Sequence, residues 1–135
     1  MESATADLFR IAVPGGRGML GTDVVAALSA AGFQPVPLDL PEFDLCRTAD
    51  VERAVRGADA VVNCAAYTNV DGAESHPATA EAVNATAVGR LGEIAARHGR
   101  FVLHVSTDFV FDGTLDRPYT EADATNPVNV YGATK

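Results

Sequence analysis

Tryptophan is absent, lysine occurs once, and there are only two cysteines and three histidines in 135 residues. Two cysteines, Cys46 and Cys64, allow at most one bridge and lie outside any metal-ligand spacing, so neither a disulfide framework nor a metal ribbon holds this chain together. That usage fits a reducing, cytoplasmic compartment. Positive charge is also scarce: 10 basic residues face 18 acidic ones, a net charge of −8 that argues against a nucleic-acid partner. No apolar run approaches the roughly 18 residues of a membrane span. The first ten residues, MESATADLFR, carry two acids and no apolar stretch, so they do not read as a secretion signal. Without secretion, the glycosylation triplet Asn84-Ala85-Thr86 is coincidental. Internal repeats and low-complexity tracts are missing too.

Hydrophobic residues make up 47% of the chain, enough for the core of one domain. Short apolar runs alternate with longer amphipathic stretches, which predicts an α/β protein with a parallel sheet. Arg10 to Val13 reads as the first strand. Gly18 to Ala31 reads as a helix, with Leu20, Val24, Leu28 and Ala31 on one face. Gln34 to Leu38 is a second strand carrying two prolines, and Phe43 to Leu45 reads as the stub of another. Thr48 is placed to cap a short helix whose Val51 and Val55 face inward. Asp59 to Ala66 and Phe101 to Ser106 read as buried strands, with a long helix from Pro77 to His98 between them, closed by Gly99. The stretch from Phe111 to Asn129 is polar and aperiodic, a loop of a length that usually carries function or stays disordered. YGATK then opens a further helix.

VPGGRGMLG joins the first strand to the first helix, with Gly15, Gly18 and Gly21 spaced G-x-x-G-x-x-G. Glycine here lets the chain turn sharply, lets backbone approach a pyrophosphate, and lets the helix pack close to the sheet. The helix N-terminus offers free N–H groups, so an acidic protein can bind phosphates without many cations. Three glycines also make an ordinary turn; their place between strand and helix is what favours a dinucleotide. Asp39 follows the second strand, where an acid can take the ribose hydroxyls. Arg17, inside the loop, could instead pair with a 2′-phosphate, which leaves NADH and NADPH both open.

The lone lysine, Lys135, stands four residues after Tyr131, and on a helix the two share a face. A phenol's pKa of about 10 is too high for ready proton exchange at neutral pH, and a neighbouring ammonium favours the phenolate. Such a pair can protonate a carbonyl oxygen as hydride reaches its carbon. A guanidinium has the wrong shape for that position, a reason for lysine in a chain that otherwise uses arginine. Thr107, at the end of a strand, has a hydroxyl that could hydrogen-bond the same oxygen. His104, Ser106 and Asp108 alternate along one strand and do not converge as a hydrolase triad must. His76 and His98 have no ligand-spaced partners. Asn63, Asn69 and Asn84 read as hydrogen-bonding posts or ordinary polar positions.

The segments GGRGMLG, VVNCAAYTNVDGAES, VNATAVGRL, HVSTDFVFDG and PYTEADATNPVNVYGATK together resemble the extended short-chain dehydrogenase/reductases, and among them the dTDP-4-dehydrorhamnose reductase family. The resemblance implies an α/β, Rossmann-like doubly wound parallel sheet and NAD(P)H-dependent reduction of the 4-keto group of a dTDP-4-dehydro-6-deoxy sugar. It implies that Tyr131 is the proton donor, Lys135 its partner and a cofactor ligand, and Thr107 the third catalytic residue. Thr107 and Asp108 would touch the sugar nucleotide. Gly18, Met19 and Leu20 would lie under the pyrophosphate, Asp39, Asp44 and Leu45 around the adenosine, and Ala66, Tyr67 and Thr68 along the cofactor, with Gly15, Gly21 and Tyr131 also in the cofactor site. Family members are often dimers, some with interfacial magnesium, though no metal ligand is assigned in this chain. They also continue for roughly as long again. Residues 1–135 are therefore expected to be an NAD(P)-binding domain truncated at the catalytic helix, lacking the C-terminal strands and substrate domain, with at most trace activity alone. Pro14 departs from the pattern and removes one N–H before the first glycine. Two other readings share these motifs: a non-catalytic subunit like the regulatory partner of methionine adenosyltransferase, and a sugar-nucleotide epimerase or dehydratase.

Overall fold

The apolar run after Arg10 forms the centre of the molecule: Ile11, Ala12 and Val13 are buried on both faces of β1 (Arg10–Pro14). The computed structural model describes residues 8–135; the first seven, part of the segment read for a secretion signal, lie outside it. β1 is flanked by β2 (Gln34–Leu38) and β3 (Ala60–Asn63), and β4 (Phe101–His104) adds to β3, giving a parallel sheet of order β2-β1-β3-β4. Because side chains alternate across a strand, the sheet has two cores. Ala12 and Val61 face Val51 and Val55 of α2 (Thr48–Arg56) and Leu91, Ile94 and Ala95 of α5 (Ala87–Arg97). Ile11, Val13 and Ala60 face Val24, Val25 and Leu28 of α1 (Met19–Ala30). Helices on both faces of a parallel sheet make the fold Rossmann-like and doubly wound. The chain leaves β1 toward one edge and returns through β3 toward the other, which opens a crevice at the C-terminal ends of these two strands.

β2 explains its own prolines. Gln34 N donates to Phe9 O at 3.0 Å, so by strand alternation Pro35 and Pro37 turn their nitrogens to the outer edge, where no donor is needed. The same prolines leave that edge unable to pair, which is why the expected strand at Phe43–Leu45 does not form. Phe43 and Leu45 are buried in alternation as strand residues would be, but they sit in a turn segment that plugs the core under α2. Thr48 is likewise not a cap. It is the first residue of α2, Arg47 takes the cap position, and the Asp50 carboxylate accepts instead from Asp44 N at 3.0 Å.

The region between β3 and β4 is more broken than its pattern predicts. A short helix, α3 (Val70–Ser75), precedes α4 (Pro77–Glu81), a π-helical turn (Ala82–Thr86) and α5. β3 and β4 are shorter than the runs Asp59–Ala66 and Phe101–Ser106, because the chain leaves the sheet at both crevice ends to build loops. Nor is β4 buried: Phe101 and Leu103 are exposed on the face opposite α5. Among the described residues no helix is long and apolar enough to cross a membrane.

The long polar loop is ordered by two carboxylates. Asp112 accepts from Asn126 Nδ2 at 2.9 Å, Thr114 N at 3.0 Å, Thr114 Oγ1 at 2.8 Å and Tyr119 Oη at 2.8 Å. Asp123 takes a two-pronged contact from Arg117 at 2.7 and 2.8 Å and the Thr120 N–H at 2.7 Å. Asn126 foremost holds the Asp112 carboxyl far below its ordinary value, and the Arg117 guanidinium does the same to Asp123. A depressed carboxyl contributes stability that is complete above the unfolded value of about 4 and is withdrawn as pH falls below it. Thermal midpoints should therefore drop between pH 5 and pH 2 more steeply in the wild type than in an Asp112→Asn/Asp123→Asn variant. Parallel pH profiles would show that the two hubs do not hold the loop.

Candidate active site

The turn out of β1 is built from close backbone approach. Gly15 has φ +72°, and a Cβ there would lie 2.6 Å from Ala65 N, the chain leaving β3. A Cβ on Gly21 would collide with Gly15 O, so the first turn of α1 can fold back on the loop only without a side chain. Pro14 costs the join little, since its carbonyl still accepts from Cys64 N at 2.9 Å. Gly18 stands at the N-cap, and its own N–H is taken by Gly15 O at 3.0 Å. The N–H groups of Met19, Leu20 and Gly21 have no intrahelical acceptor, and no acid occupies the first turn of α1. This end is left open to an anion.

A cleft of about 690 Å³ runs from that loop across the sheet ends, within the size range of small-molecule sites. Its wall contains Gly15, Gly18, Met19, Leu20 and Gly21 at one side, with Asp39, Asp44 and Leu45 beyond the end of β2. Ala66, Tyr67 and Thr68 follow β3 in the same wall, and Tyr131 and Lys135 close it opposite. Asp39 is oriented by backbone: its carboxylate accepts from Arg17 N at 3.2 Å and Leu40 N at 3.0 Å. Asp44 is held by Cys46 N at 2.8 Å.

Tyr131 lies on α6 (Val130–Thr134), and Lys135 directly follows that helix. Two acceptors fix its start. Asn129 at the N-cap accepts from Gly132 N at 2.7 Å, and Glu74, reaching from α3, accepts from Val130 N at 2.8 Å. A Cβ on Gly132 would run into Phe109 O, so the glycine after Tyr131 is what lets α6 dock on the turn at Asp108–Val110. The Phe109 and Tyr131 rings then meet edge to face at 5.6 Å. Lys135 Nζ donates to Val105 O at 2.8 Å, and burial lowers its pKa. No hydrogen bond joins this ammonium to the Tyr131 hydroxyl among the described residues.

Thr107 and Asp108 lie beside the cleft and not in its wall. Thr107 caps the short 3₁₀ turn, accepting from Phe109 N at 3.2 Å and donating to Asp108 Oδ1 at 3.3 Å, while Val105 and Ser106 line the cleft instead. His104 belongs to no triad. Its Nδ1 pairs with Asn63 Nδ2 at 3.0 Å, its Nε2 is buried without a partner among the described residues, and burial, then the charge of Lys135, lower its pKa. Asn84 is a post of unusual reach. It is 2% exposed, accepts from Tyr67 N at 2.8 Å, and donates to Tyr67 O and Thr134 Oγ1, both at 3.1 Å. Thr134 in turn donates to Tyr131 O at 2.9 Å. One amide thus ties the wall after β3 to the helix carrying Tyr131, from within the π turn; such turns recur at functional sites. Glu74, Gly132 and Asn129 were not singled out from sequence. Asn129 has a readable cap pattern, whereas Glu74 acts on a residue 56 positions away.

Residues 9–135 match the family model described as RmlD substrate binding domain. A dTDP-4-dehydrorhamnose reductase of Burkholderia thailandensis is 48% identical over 128 residues, covering 93% of this chain and 43% of that protein. The solved dTDP-4-dehydrorhamnose reductase of Bacillus anthracis, in complex with NADP, superposes with a TM-score of 0.89 at 28% identity, over 97% of this chain and 48% of that one. A Thermus thermophilus UDP-glucose 4-epimerase in complex with NAD gives 0.85 at 25% identity, over 94% and 47%. The chain spans less than half the length of these relatives.

Proposed function

The chain belongs to the RmlD substrate binding domain family, and on that premise we propose that it is the NAD(P)H-binding part of a cytoplasmic dTDP-4-dehydrorhamnose reductase. In this reading residues 1–135 form the cofactor domain of an enzyme that converts dTDP-4-dehydrorhamnose to dTDP-L-rhamnose. The observation that carries it is the single cleft in which the glycine loop, Asp39, Ala66 to Thr68, Tyr131 and Lys135 meet. The fit to a dinucleotide rests on the acid-free first turn of α1 and on the close approach of Gly15 to the chain beyond β3. Gly15, Gly18, Met19, Leu20 and Gly21 would hold the pyrophosphate, Asp39, Asp44 and Leu45 the adenosine, and Ala66, Tyr67 and Thr68 the middle. Bound there, a reduced nicotinamide supplies hydride. Tyr131 gives its hydroxyl proton to the substrate's C4 oxygen, and Lys135 places a positive charge beside it. Thr107 and Asp108, just outside the wall, would meet the sugar nucleotide on its approach. Tyr131 and Lys135 facing the cleft together favours an enzyme over a non-catalytic subunit. Both cysteines are free, with thiols pushed up by burial, in keeping with a reducing compartment.

Titrating NADH and NADPH against the 135-residue chain, followed by nucleotide fluorescence, should give saturable binding of at least one. No binding of either would reduce the glycine loop to a structural turn. The full-length product should oxidise NAD(P)H only when dTDP-4-dehydrorhamnose is present; oxidation independent of that sugar would reject the substrate.

A further inference from the structure

Beside the adenosine end of the cleft lies a second hollow of about 280 Å³, with Arg17, Asp39, Glu42 and Arg53 in its wall. Asp39 and Phe43 line both spaces, so the hollow adjoins the corner where an adenosine ribose would sit. Its two ion pairs differ in kind. Arg53 is fixed: it binds Asp50 at 2.8 Å, and that carboxylate, 6% exposed, also accepts from Asp44 N. Arg17 is not. Its Nη1 meets Glu42 Oε2 at 3.2 Å with both side chains mostly in water, 58% and 68% exposed, and the described residues offer neither group another side-chain partner. Exposed pairs of this sort hold weakly. Asp39, meanwhile, takes two backbone N–H groups and has no cation of its own among the described residues.

We propose that Glu42 is a cofactor-selecting latch that keeps Arg17 from the 2′-phosphate of NADPH. The proposal rests on the cleft being an NAD(P)H site. While Arg17 is on Glu42, the corner presents the uncompensated charge of Asp39, which suits a ribose diol and repels a dianion. A 2′-phosphate can draw Arg17 across, because a guanidinium binds phosphate through charge-assisted, two-pronged hydrogen bonds. It must do so against the remaining carboxylates of Glu42 and Asp39. Both cofactors therefore bind, and NADH is favoured so long as Glu42 keeps its charge. Arg53 cannot take the same part without leaving the 6% exposed Asp50 carboxylate to Arg47, which reaches it only at 3.6 Å.

The test measures Kd for NADH and NADPH on the wild type, Glu42→Gln, Arg17→Gln and the double variant. Glu42→Gln should lower the ratio Kd(NADPH)/Kd(NADH) about tenfold, through tighter NADPH with NADH nearly unchanged. Arg17→Gln should raise the ratio by a similar factor, and in its background Glu42→Gln should have little effect. Since both residues are exposed, far-UV circular dichroism should be identical throughout. If both cofactors bind but Glu42→Gln leaves the ratio where it was, the latch is overturned. A wild type already binding NADPH tenfold more tightly than NADH overturns it as well. If neither cofactor binds any variant, the underlying cofactor site fails and takes the latch with it.

Discussion

Tyr131→Phe should lower kcat of the full-length enzyme by about 10²- to 10⁴-fold, the usual worth of a positioned proton donor, with cofactor Kd changed by less than about twofold. The ring loses one oxygen and keeps its edge-to-face contact with Phe109 at 5.6 Å, so α6 and the cleft wall should stay in place. Retention of more than a tenth of wild-type kcat would remove Tyr131 from the chemistry. Lys135→Met should lower kcat comparably and also weaken cofactor binding, since Lys135 lines the cleft. Lys135→Arg should not rescue either loss. The ammonium sits half-buried on Val105 O at 2.8 Å, and a planar guanidinium cannot occupy that place with one short hydrogen bond.

The same lysine makes an opposite prediction for stability. Burial lowers its pKa in the folded protein. Between the folded and unfolded values the unfolded chain binds more protons, so stability rises with pH across that window and is lost as pH falls through the folded value. Below that window the buried ammonium is a net cost to folding. Lys135→Met should therefore unfold at a temperature no lower than the wild type at pH 7, with its advantage shrinking toward pH 11. A clear loss of stability at neutral pH would mean that the bond to Val105 O outweighs the cost of burial. A residue kept against its own stability contribution is what a functional position looks like.

The glycine loop was legible in the sequence because its requirements are local: a sharp turn, a helix start, and no room for a Cβ. The buried runs of β1 and β3 and the inward faces of α2 were legible for a similar reason, since alternation and helical spacing report burial directly. Phe43 to Leu45 shows where that logic misleads. Alternating burial marks a strand only if a neighbour's edge has donors to offer, and Pro35 and Pro37 had removed them two turns of chain away. The edge exposure of Phe101 and Leu103 was hidden because apolarity does not say which face is covered. At the site, the spacing of Tyr131 and Lys135 could bring both to one cleft, whereas the displacement of Thr107 from the wall depends on where the chain leaves β4. That exit follows from β3–β4 register, ending at Asn63 opposite His104, and no local pattern encodes it. The Glu74 contact to α6 is invisible for the same reason.

Asn84 is the long-range case with the largest expected consequence for the fold. Asn84→Ala leaves the Tyr67 N–H, the Tyr67 carbonyl and the Thr134 hydroxyl without their shared partner. Each buried polar group stranded this way costs about 1–3 kcal/mol; Tyr67 is half-buried, so water recovers part of it, and a net loss of about 2–4 kcal/mol in urea unfolding is expected. Thr134→Val removes one spoke of Asn84 together with the bond to Tyr131 O, and should cost about 1–2 kcal/mol. Because both residues act through one network, the double variant should cost less than the sum of the two. Activity separates this from a merely structural role. Asn84 holds Tyr67 in the cleft wall and, through Thr134, the carbonyl of Tyr131. Asn84→Asp keeps an acceptor for Tyr67 N but sets a carboxylate against the Tyr67 carbonyl. It should lose cofactor affinity and kcat together even where it remains folded. Full cofactor affinity and kcat in a folded Asn84→Asp enzyme would show that the π turn supports the sheet but not the site, and that Tyr131 is held by Asn129, Glu74 and Phe109 alone.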